Sequence, residues 1–277
     1  MSRSKKKISV IFYHFFLIIL SILVLFPIFW MISSSLKSLG DVFSYPPKFI
    51  PNPVQWENYS EVMKGSLPFP RFLFNSVIIS LARTLGVITV SSMAAYAFAR
   101  LKFPGRNALF LLFMGTLMVP FQVVMIPMFI IIRHLNWVNT YSSLIFPLMF
   151  SAFGTFLLRQ FFMTLPRELE EAALIDGCSY FKIFYSIIIP LSKPALASLG
   201  IFTFVGCWNE FLWPLVIVSD TKMKTVTLGL SLFQGLYFTE WHLLMAATVI
   251  TSAVPLTLYI FLQRYFVEGI TVTGMKA

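Results

Sequence analysis

Charged residues are scarce in this sequence. Only 12% of its 277 residues are Asp, Glu, Lys or Arg, about half of the share that is usual in soluble domains. Hydrophobic residues supply 58% of the chain, so a soluble globule would have too little polar surface to face water. The composition therefore excludes a soluble globular protein and indicates one whose solvent is a lipid bilayer.

Cysteine and nucleotide-binding patterns are also lacking. Cys178 and Cys207 are the only cysteines, one in a predicted loop and one in a predicted span, so neither a disulfide framework nor a metal site is expected. The patterns G-x-x-x-x-G-K-[ST] and G-x-G-x-x-G do not occur, and no repeat of about 20–50 residues is present. The chain is therefore predicted to be no enzyme and to bind no cofactor.

Long apolar runs are the main positive feature. A helix that spans a bilayer needs about 20 mostly apolar residues, and six stretches of this chain meet that requirement. The predicted spans lie at roughly 10–33, 73–99, 108–132, 141–160, 194–218 and 243–264. The first span is predicted to be a transmembrane helix and not a cleaved signal peptide, because its apolar run is longer than that of a signal peptide. Kinks are predicted at Pro120, Pro127 and Pro255.

Basic residues predict the orientation. With both termini in the cytoplasm, the inner segments carry 13 basic residues and the outer ones 7, as the positive-inside rule requires. These residues are scattered over loops, so no nucleic-acid partner is expected. The predicted organisation is a cytoplasmic segment 1–9, a first helix 10–33, an external loop 34–72, a five-helix core 73–266 and a cytoplasmic tail 267–277.

One inner loop, residues 161–193, gathers the scarce acids and is called the acidic loop below. Within nine positions it contains Glu168, Glu170, Glu171 and Asp176. Acids suit the first turn of a helix, for which Thr164 is the predicted N-cap, and Gly177 suits its end. A second short helix is predicted over 180–188. From these residues alone, the first helix either docks in a cleft of another protein or is an ordinary surface helix.

The spacing in the acidic loop resembles the EAA loop of ABC-importer permeases. That pattern is Glu-Ala-Ala, three residues, Gly, nine residues, Ile, one residue and Leu-Pro. The matching residues are Glu171, Ala172, Ala173, Gly177, Ile187 and Pro190, with Ile189 in place of Leu. Segments 75–106, 139–162, 202–220 and 263–277 resemble the carbohydrate-uptake branch, and within it the second, maltose-permease-type subunit. The resemblance covers nearly the whole chain.

This resemblance implies an all-α membrane protein with six transmembrane helices and the type I importer permease fold. It implies a bacterial or archaeal cytoplasmic membrane as the location. The implied partners are a homologous second permease subunit, two cytoplasmic ATPase subunits, an extracytoplasmic sugar-binding protein and the bilayer. ATP and Mg²⁺ are then expected in the ATPase subunits and not in this chain.

The resemblance also implies roles for individual residues. A helix of the acidic loop and the residues around it are implied to couple this chain to an ATPase subunit. The residues with this implied role are Glu170, Glu171, Ala172, Ala173, Asp176, Gly177, Ile187 and Pro190. A second ATPase contact falls to the carboxyl-terminal tail at Gly274 and Lys276. Motion of the ATPases would then reach the membrane through the acidic loop.

Two charged residues lie within the predicted spans, where ionisable groups are candidates for function. Arg83 and Glu210 have similar predicted depths, so they are hypothesised to form a pair that braces the pathway. The alternative is that each bonds to a backbone carbonyl or reaches towards the membrane surface. Asn209, beside Glu210, is a further candidate for the pathway.

The predicted function is that of a membrane subunit in an ATP-driven importer of a sugar or oligosaccharide. Another polar solute, such as a polyol, is the alternative cargo. An ion-coupled secondary transporter is a weaker alternative, since only two charges lie in the spans. An intramembrane enzyme would need a Ser-His pair or a metal cluster, and neither is visible.

Overall fold

The computed structural model describes residues 3–235 and 238–274, and the side chains of 12–235, 238–261 and 263. Within this part the chain is helical, and the only β pairing is an isolated bridge between Gln234 and Thr239. The all-helical class predicted from the sequence is confirmed for these residues.

The α-helices follow one another along the chain, and the longest connection, 43–56, joins α2 to α3. In order they are α1 Arg3–Ser35, α2 Leu39–Val42, α3 Glu57–Lys64, α4 Phe69–Arg100, α5 Arg106–Gly115, α6 Phe121–His134, α7 Tyr141–Ile145, α8 Ala152–Thr164, α9 Glu168–Ile175, α10 Tyr180–Ile183, α11 Ile189–Leu191, α12 Lys193–Trp208, α13 Leu212–Ile217, α14 Val226–Leu230 and α15 Trp241–Gly274. A π-helical turn, Phe184–Ile188, joins α10 to α11.

Three segments are long and apolar enough to cross a membrane without interruption: Phe12–Ser35, Phe69–Arg100 and Trp241–Phe261. Three further candidates are bent pairs, with bends of 98° in Arg106–Met118 and Phe121–His134, 45° in Tyr141–Leu148 and Ala152–Thr164, and 78° in Tyr180–Leu191 and Lys193–Trp208. The described chain therefore holds three to six candidate spans, and the count of six stays a prediction.

The predicted span 108–132 is broken into two helices, where the sequence predicts only a kink at Pro120. Val119 (φ −86°, ψ 115°) and Pro120 (φ −60°, ψ 137°) are extended and separate the two halves. Proline has no N–H to donate and disfavours helical geometry in the residue before it, which accounts for the break. Pro127 and Pro255, in contrast, lie inside α6 and α15.

The predicted span 194–218 is also interrupted. Helix α12 ends at Trp208 and α13 begins at Leu212. Glu210 lies in the break, where its Oε1 accepts a hydrogen bond of 3.4 Å from the backbone N–H of Trp213. The polar pair Asn209 and Glu210 thus coincides with the end of the apolar helix.

The chain divides into two compact units, Met1–Phe69 with Gly229–Ala253 and Pro70–Leu228 with Val254–Ala277. In the first, Asn58 organises the loop after α1, because its Nδ2 donates to the carbonyls of Ser35 and Lys37, each at 2.9 Å. Helix α3 supplies Asn58. The Lys37 side chain is buried, with Nζ 4.2 Å from the ring centroid of Trp30.

The second unit has a buried apolar cluster that includes α9 of the acidic loop. Its members come from α4, α8, α9, α10, the π-helical turn and α12, and they include Val87, Ala95, Tyr96, Ala99, Leu158, Phe162, Ala173, Ile183, Phe184, Ile188, Ala195 and Leu199. The acidic loop is therefore packed onto the helices of its own unit.

Candidate coupling site in the acidic loop

Gly177 forms the turn between the two short helices of the acidic loop. It has φ +75°, the left-handed conformation that glycine adopts without a steric penalty. Its N–H donates to the carbonyl of Leu174 at 3.0 Å, and that of Cys178 donates to Ala173 at 2.9 Å. These two bonds form a Schellman motif, so the predicted role of Gly177 as the end of α9 is confirmed.

The start of α9 differs from the prediction. Thr164 is not its N-cap, because α8 continues through Thr164 and the hydroxyl donates back to the carbonyl of Phe161 at 2.7 Å. Arg167 is the residue before α9, and no side chain caps the helix there. Three acidic residues in the first turn still face the positive end of the helix dipole.

Glu170 is the acid that faces inwards. It is 8% exposed, and its Oε1 lies 3.0 Å from Nε of Arg100 at the end of α4. Its Oε2 accepts a hydrogen bond of 3.4 Å from the hydroxyl of Tyr96, one turn earlier on α4. Glu170 therefore ties the inner face of α9 to α4 through a buried ion pair.

Arg100 also holds the end of α8. Its Nη2 donates to the carbonyls of Phe162 at 2.5 Å and Leu165 at 2.6 Å. The last carbonyls of a helix have no partner within the helix, so a guanidinium satisfies them well. One buried side chain thus joins α4, α8 and α9, whereas in the sequence Arg100 is only one of the inner basic residues that predict the orientation.

The remaining residues of α9 divide between an inner and an outer face. Ala173 is 8% exposed and packs into the apolar cluster with Glu170 beside it. Among the exposed residues are Glu171, Ala172, Asp176, Leu169, Leu174 and Ile175. Ile175 is 86% exposed, which is unusual for so apolar a side chain in a loop. The outer face therefore combines acids with uncovered apolar groups.

Ile187 and Pro190 lie apart from that outer face. Ile187 packs against the apolar cluster, and Pro190 is exposed within α11. Because proline has no N–H for the usual bond to the residue four positions before it, the π-helical turn just ahead has a local cause. The structure thus brings Glu170 and Ala173 together on the inner face of α9 and packs Ile187 against the same apolar cluster as Ala173, whereas Pro190 is exposed.

A family comparison agrees with this arrangement. The sequence model of the binding-protein-dependent transport system inner membrane component matches residues 86–272, which contain the whole acidic loop. This chain belongs to that family. It is therefore the permease component of such a transport system and a multi-pass protein of the bacterial inner membrane.

Relatives of this permease match over almost their full length. The sn-glycerol-3-phosphate transport system permease protein UgpE of Yersinia enterocolitica is 42% identical over 267 residues, which are 94% of this chain and 95% of that protein. UgpE of Pectobacterium atrosepticum is 40% identical over the same shares of the two chains.

Solved structures confirm the fold. A chain from a bacterial ABC transporter involved in the import of the acidic polysaccharide alginate superposes with a TM-score of 0.83 and 23% identity, covering 96% of this permease and 99% of that chain. A second, from an alginate ABC transporter in complex with an alginate pentasaccharide-bound periplasmic protein, gives 0.68 and 14% identity over 94% and 96%. The permease therefore has the type I importer fold.

Arg83, the first candidate for the pathway, lines a cavity of about 310 Å³ in the permease. Its Nε is buried without a hydrogen-bond partner among the described residues. The cavity is also lined by Ser151, which precedes α8, and by Thr203 and Gly206 of α12. A cation and two hydroxyl groups thus face one space within the membrane helices.

The hypothesised pair of Arg83 and Glu210 does not form. No ion pair joins them in the described part of the permease, because Glu210 bonds to the backbone at the start of α13. Asn209 is exposed at the end of α12. Gly274 is the last residue of α15, and Lys276 lies outside the described residues, so the tail contact stays a prediction.

Proposed function

We propose that this permease forms a translocation pathway together with a homologous second permease subunit, and that α9 is its coupling helix. An extracytoplasmic binding protein would deliver the cargo, and two cytoplasmic ATPase subunits would drive the cycle. ATP and Mg²⁺ would bind those ATPase subunits and not this chain. Both termini and the acidic loop would lie in the cytoplasm, and residues 34–72 would form the external loop.

The Glu170–Arg100 pair is the observation that carries this proposal. A helix that transmits motion must be firmly attached to the membrane helices on one face and free to bind on the other. Glu170 and Ala173 attach α9, whereas Ile175 and its exposed neighbours leave the outer face open. An apolar patch of this kind is typical of a docking surface.

The contacts between α9 and Arg100 can transmit a movement of α9 to the membrane helices. If an ATPase subunit moved α9, the displacement would reach Arg100 and, through its bonds to Phe162 and Leu165, the ends of both α4 and α8. Packed helices respond to such a displacement by switching between arrangements and not by bending gradually. The acidic loop is therefore suited to turning ATPase closure into an opening of the pathway.

The cargo is proposed to be a sugar or oligosaccharide, with another polar solute such as a polyol as the alternative. The relatives named for sn-glycerol-3-phosphate favour a phosphorylated polyol as the second candidate. Uptake of labelled solutes by cells that express the whole transport system would separate the two candidates. An ion-coupled transporter is the weaker alternative, because the predicted spans hold only two charged residues, Arg83 and Glu210.

The test of the coupling role is a substitution on the outer face of α9. Ile175→Asp alters a side chain that is 86% exposed, so the fold of the chain should be retained. Ile50→Asp, at a position 77% exposed in the predicted external loop, is the matched control. The tagged permease would be purified from native membranes in mild detergent, and the co-purifying proteins would be identified by mass spectrometry.

We expect wild type and Ile50→Asp to bring down an ATPase and a second permease. Ile175→Asp should lose the ATPase and keep the permease, because only the docking surface has changed. If Ile175→Asp retains the ATPase at the wild-type level, the outer face of α9 is not the docking surface and the proposal fails.

A further inference from the structure

A basic cavity lies beside the start of α9. It has a volume of about 510 Å³ and is formed by the end of α4, the loop that follows, the first turn of α5 and the residue before α9. Its cationic lining residues are Arg100, Lys102, Arg106 and Arg167. No carboxylate lines it within the described part of the chain. Like charges around one space repel one another unless an anion neutralises them.

Three of these cations lack a charged partner. Glu170 pairs with Arg100, but no ion pair within the described residues involves Lys102, Arg106 or Arg167. Among the described residues Arg106 bonds only to neutral acceptors, the carbonyl of Leu101 at 3.0 Å and the amide oxygen of Asn107 at 3.5 Å. The cavity therefore has an excess of positive charge that its own chain does not neutralise.

The start of α5 adds backbone donors to the same cavity. Gly105, with φ +77°, precedes this ten-residue helix and carries no side chain that could cap it. Asn107 and Ala108, in its first turn, line the cavity. The N–H groups at the start of a helix have no partner within it, and phosphate groups are bound by such termini.

The surroundings place this cavity at the edge of an apolar surface. Phe103 lines it, and α5 continues away from it with exposed apolar side chains, Leu109 at 51%, Leu111 at 69% and Leu112 at 72%. In a membrane protein such side chains face lipid tails, so the cations at the start of the same helix lie where the headgroups are. Basic pockets in this position bind anionic headgroups.

We propose that this cavity is a phosphate-group site occupied by the headgroup of an anionic lipid such as phosphatidylglycerol. The headgroup phosphate would bond to Lys102, Arg106 and Arg167 and to the free N–H groups of α5, with the acyl chains along the exposed leucines. Because Arg167 immediately precedes α9, the bound lipid would also hold the start of that helix against the loop after α4. A soluble phosphate has the same polar chemistry but would leave the apolar edge uncovered.

The experiment removes the charges of Lys102 and Arg167, whose side chains make no hydrogen bond or ion pair with the described residues. Lys102→Gln with Arg167→Gln would be compared with Lys64→Gln with Lys222→Gln, which lowers the net charge equally at exposed positions elsewhere. The permease, purified with its co-purifying subunits, would be placed in nanodiscs of phosphatidylcholine with increasing phosphatidylglycerol. Lipid retained after extraction would be quantified by native mass spectrometry.

Removing each cation near the membrane surface should weaken anionic-lipid binding about fivefold. The cavity variant should therefore lose about 25-fold in apparent affinity for phosphatidylglycerol, and the control should stay near wild type. The exchanged variant Lys102→Arg with Arg167→Lys, which keeps both charges, should retain binding and separates loss of charge from misfolding.

Three results would overturn the proposal. Equal phosphatidylglycerol retention by the cavity variant and its control would show that the cavity is not the site. Displacement of the lipid by inorganic phosphate would assign the site to a soluble anion. Loss of the ATPase from the cavity variant, with lipid retention unchanged, would assign the cations to a protein interface. Lipid retention that resists inorganic phosphate supports the headgroup.

Discussion

Removing the charge of Glu170 tests whether the buried ion pair holds α9. Glu170→Gln keeps the shape of the side chain but leaves the Arg100 guanidinium without a counter-charge. The two side chains are 11% and 4% exposed, so water screens the pair little. Removing one partner of a buried ion pair costs about 3–5 kcal/mol. Arg100 keeps its two carbonyl acceptors, so we expect a loss near the lower end, about 3 kcal/mol.

The free energy of unfolding would be measured by titration with sodium dodecyl sulfate in mixed micelles. Glu171→Gln is the matched control, because Glu171 is an exposed neighbour with no ion pair within the described residues. Its loss should stay within about 0.5 kcal/mol, as is usual for surface substitutions.

A double-mutant cycle with Arg100→Gln isolates the pair from other effects. If Glu170 and Arg100 stabilise each other, the double variant should be more stable than the sum of the two losses predicts, by at least about 1 kcal/mol. A Glu170→Gln variant as stable as the control, or a coupling energy of zero, would refute the reasoning. The coupling route proposed for ATPase motion would then lose its physical basis.

Three further predictions concern the loops. Gly177→Ala should destabilise the protein by about 1–2 kcal/mol, because alanine is strained in the left-handed conformation, whereas its new Cβ meets no atom within 4 Å. The control Gly40→Ala has the same free space but no positive φ, so it should not destabilise the protein. Thermal unfolding of the two variants would test this difference. Asn58→Ala should cost about 2 kcal/mol, because two buried carbonyls lose their donor; an unchanged unfolding temperature would contradict this. Burial lowers the pKa of Lys37 from 10.5, so the unfolded chain binds more protons and stability should rise as pH rises between the folded and unfolded pKa values; Lys37→Met should abolish that rise in a pH series of unfolding temperatures.

The sequence predicted the local structure of the acidic loop well. Gly177 could be recognised because a left-handed residue is needed where a helix turns sharply, and no other residue type meets that need as easily. The apolar and small residues after Glu171 correctly indicated helix α9. The prediction for Thr164 was wrong because this residue lies between α8 and α9 and belongs to α8. Its hydroxyl bonds to the carbonyl of Phe161 within α8, and this bond depends on where α8 ends.

The tertiary features could not be read from the chain in the same way. Arg100 and Glu170 are separated by 70 positions, and nothing local to either residue indicates that they meet in the fold. Pro120 was recognised as a kink, but the size of the bend, 98°, depends on how the two halves pack. An average of hydropathy over a window of residues also does not reveal a helix break as short as the one at Glu210.

The first helix has a different relation to its own chain from the other candidate spans. In the most apolar window of Phe12–Ser35, 0% of the residues are buried within the protein, against 33% in Phe69–Arg100 and 28% in Trp241–Phe261. Its apolar side chains do not pack into a core of this chain, so within the chain their hydropathy is constrained more than their shape. Exchanges among Leu, Ile, Val and Phe in this segment should therefore leave the packing of this chain unchanged, and their shape would matter only where a partner such as the proposed second permease subunit packs against them.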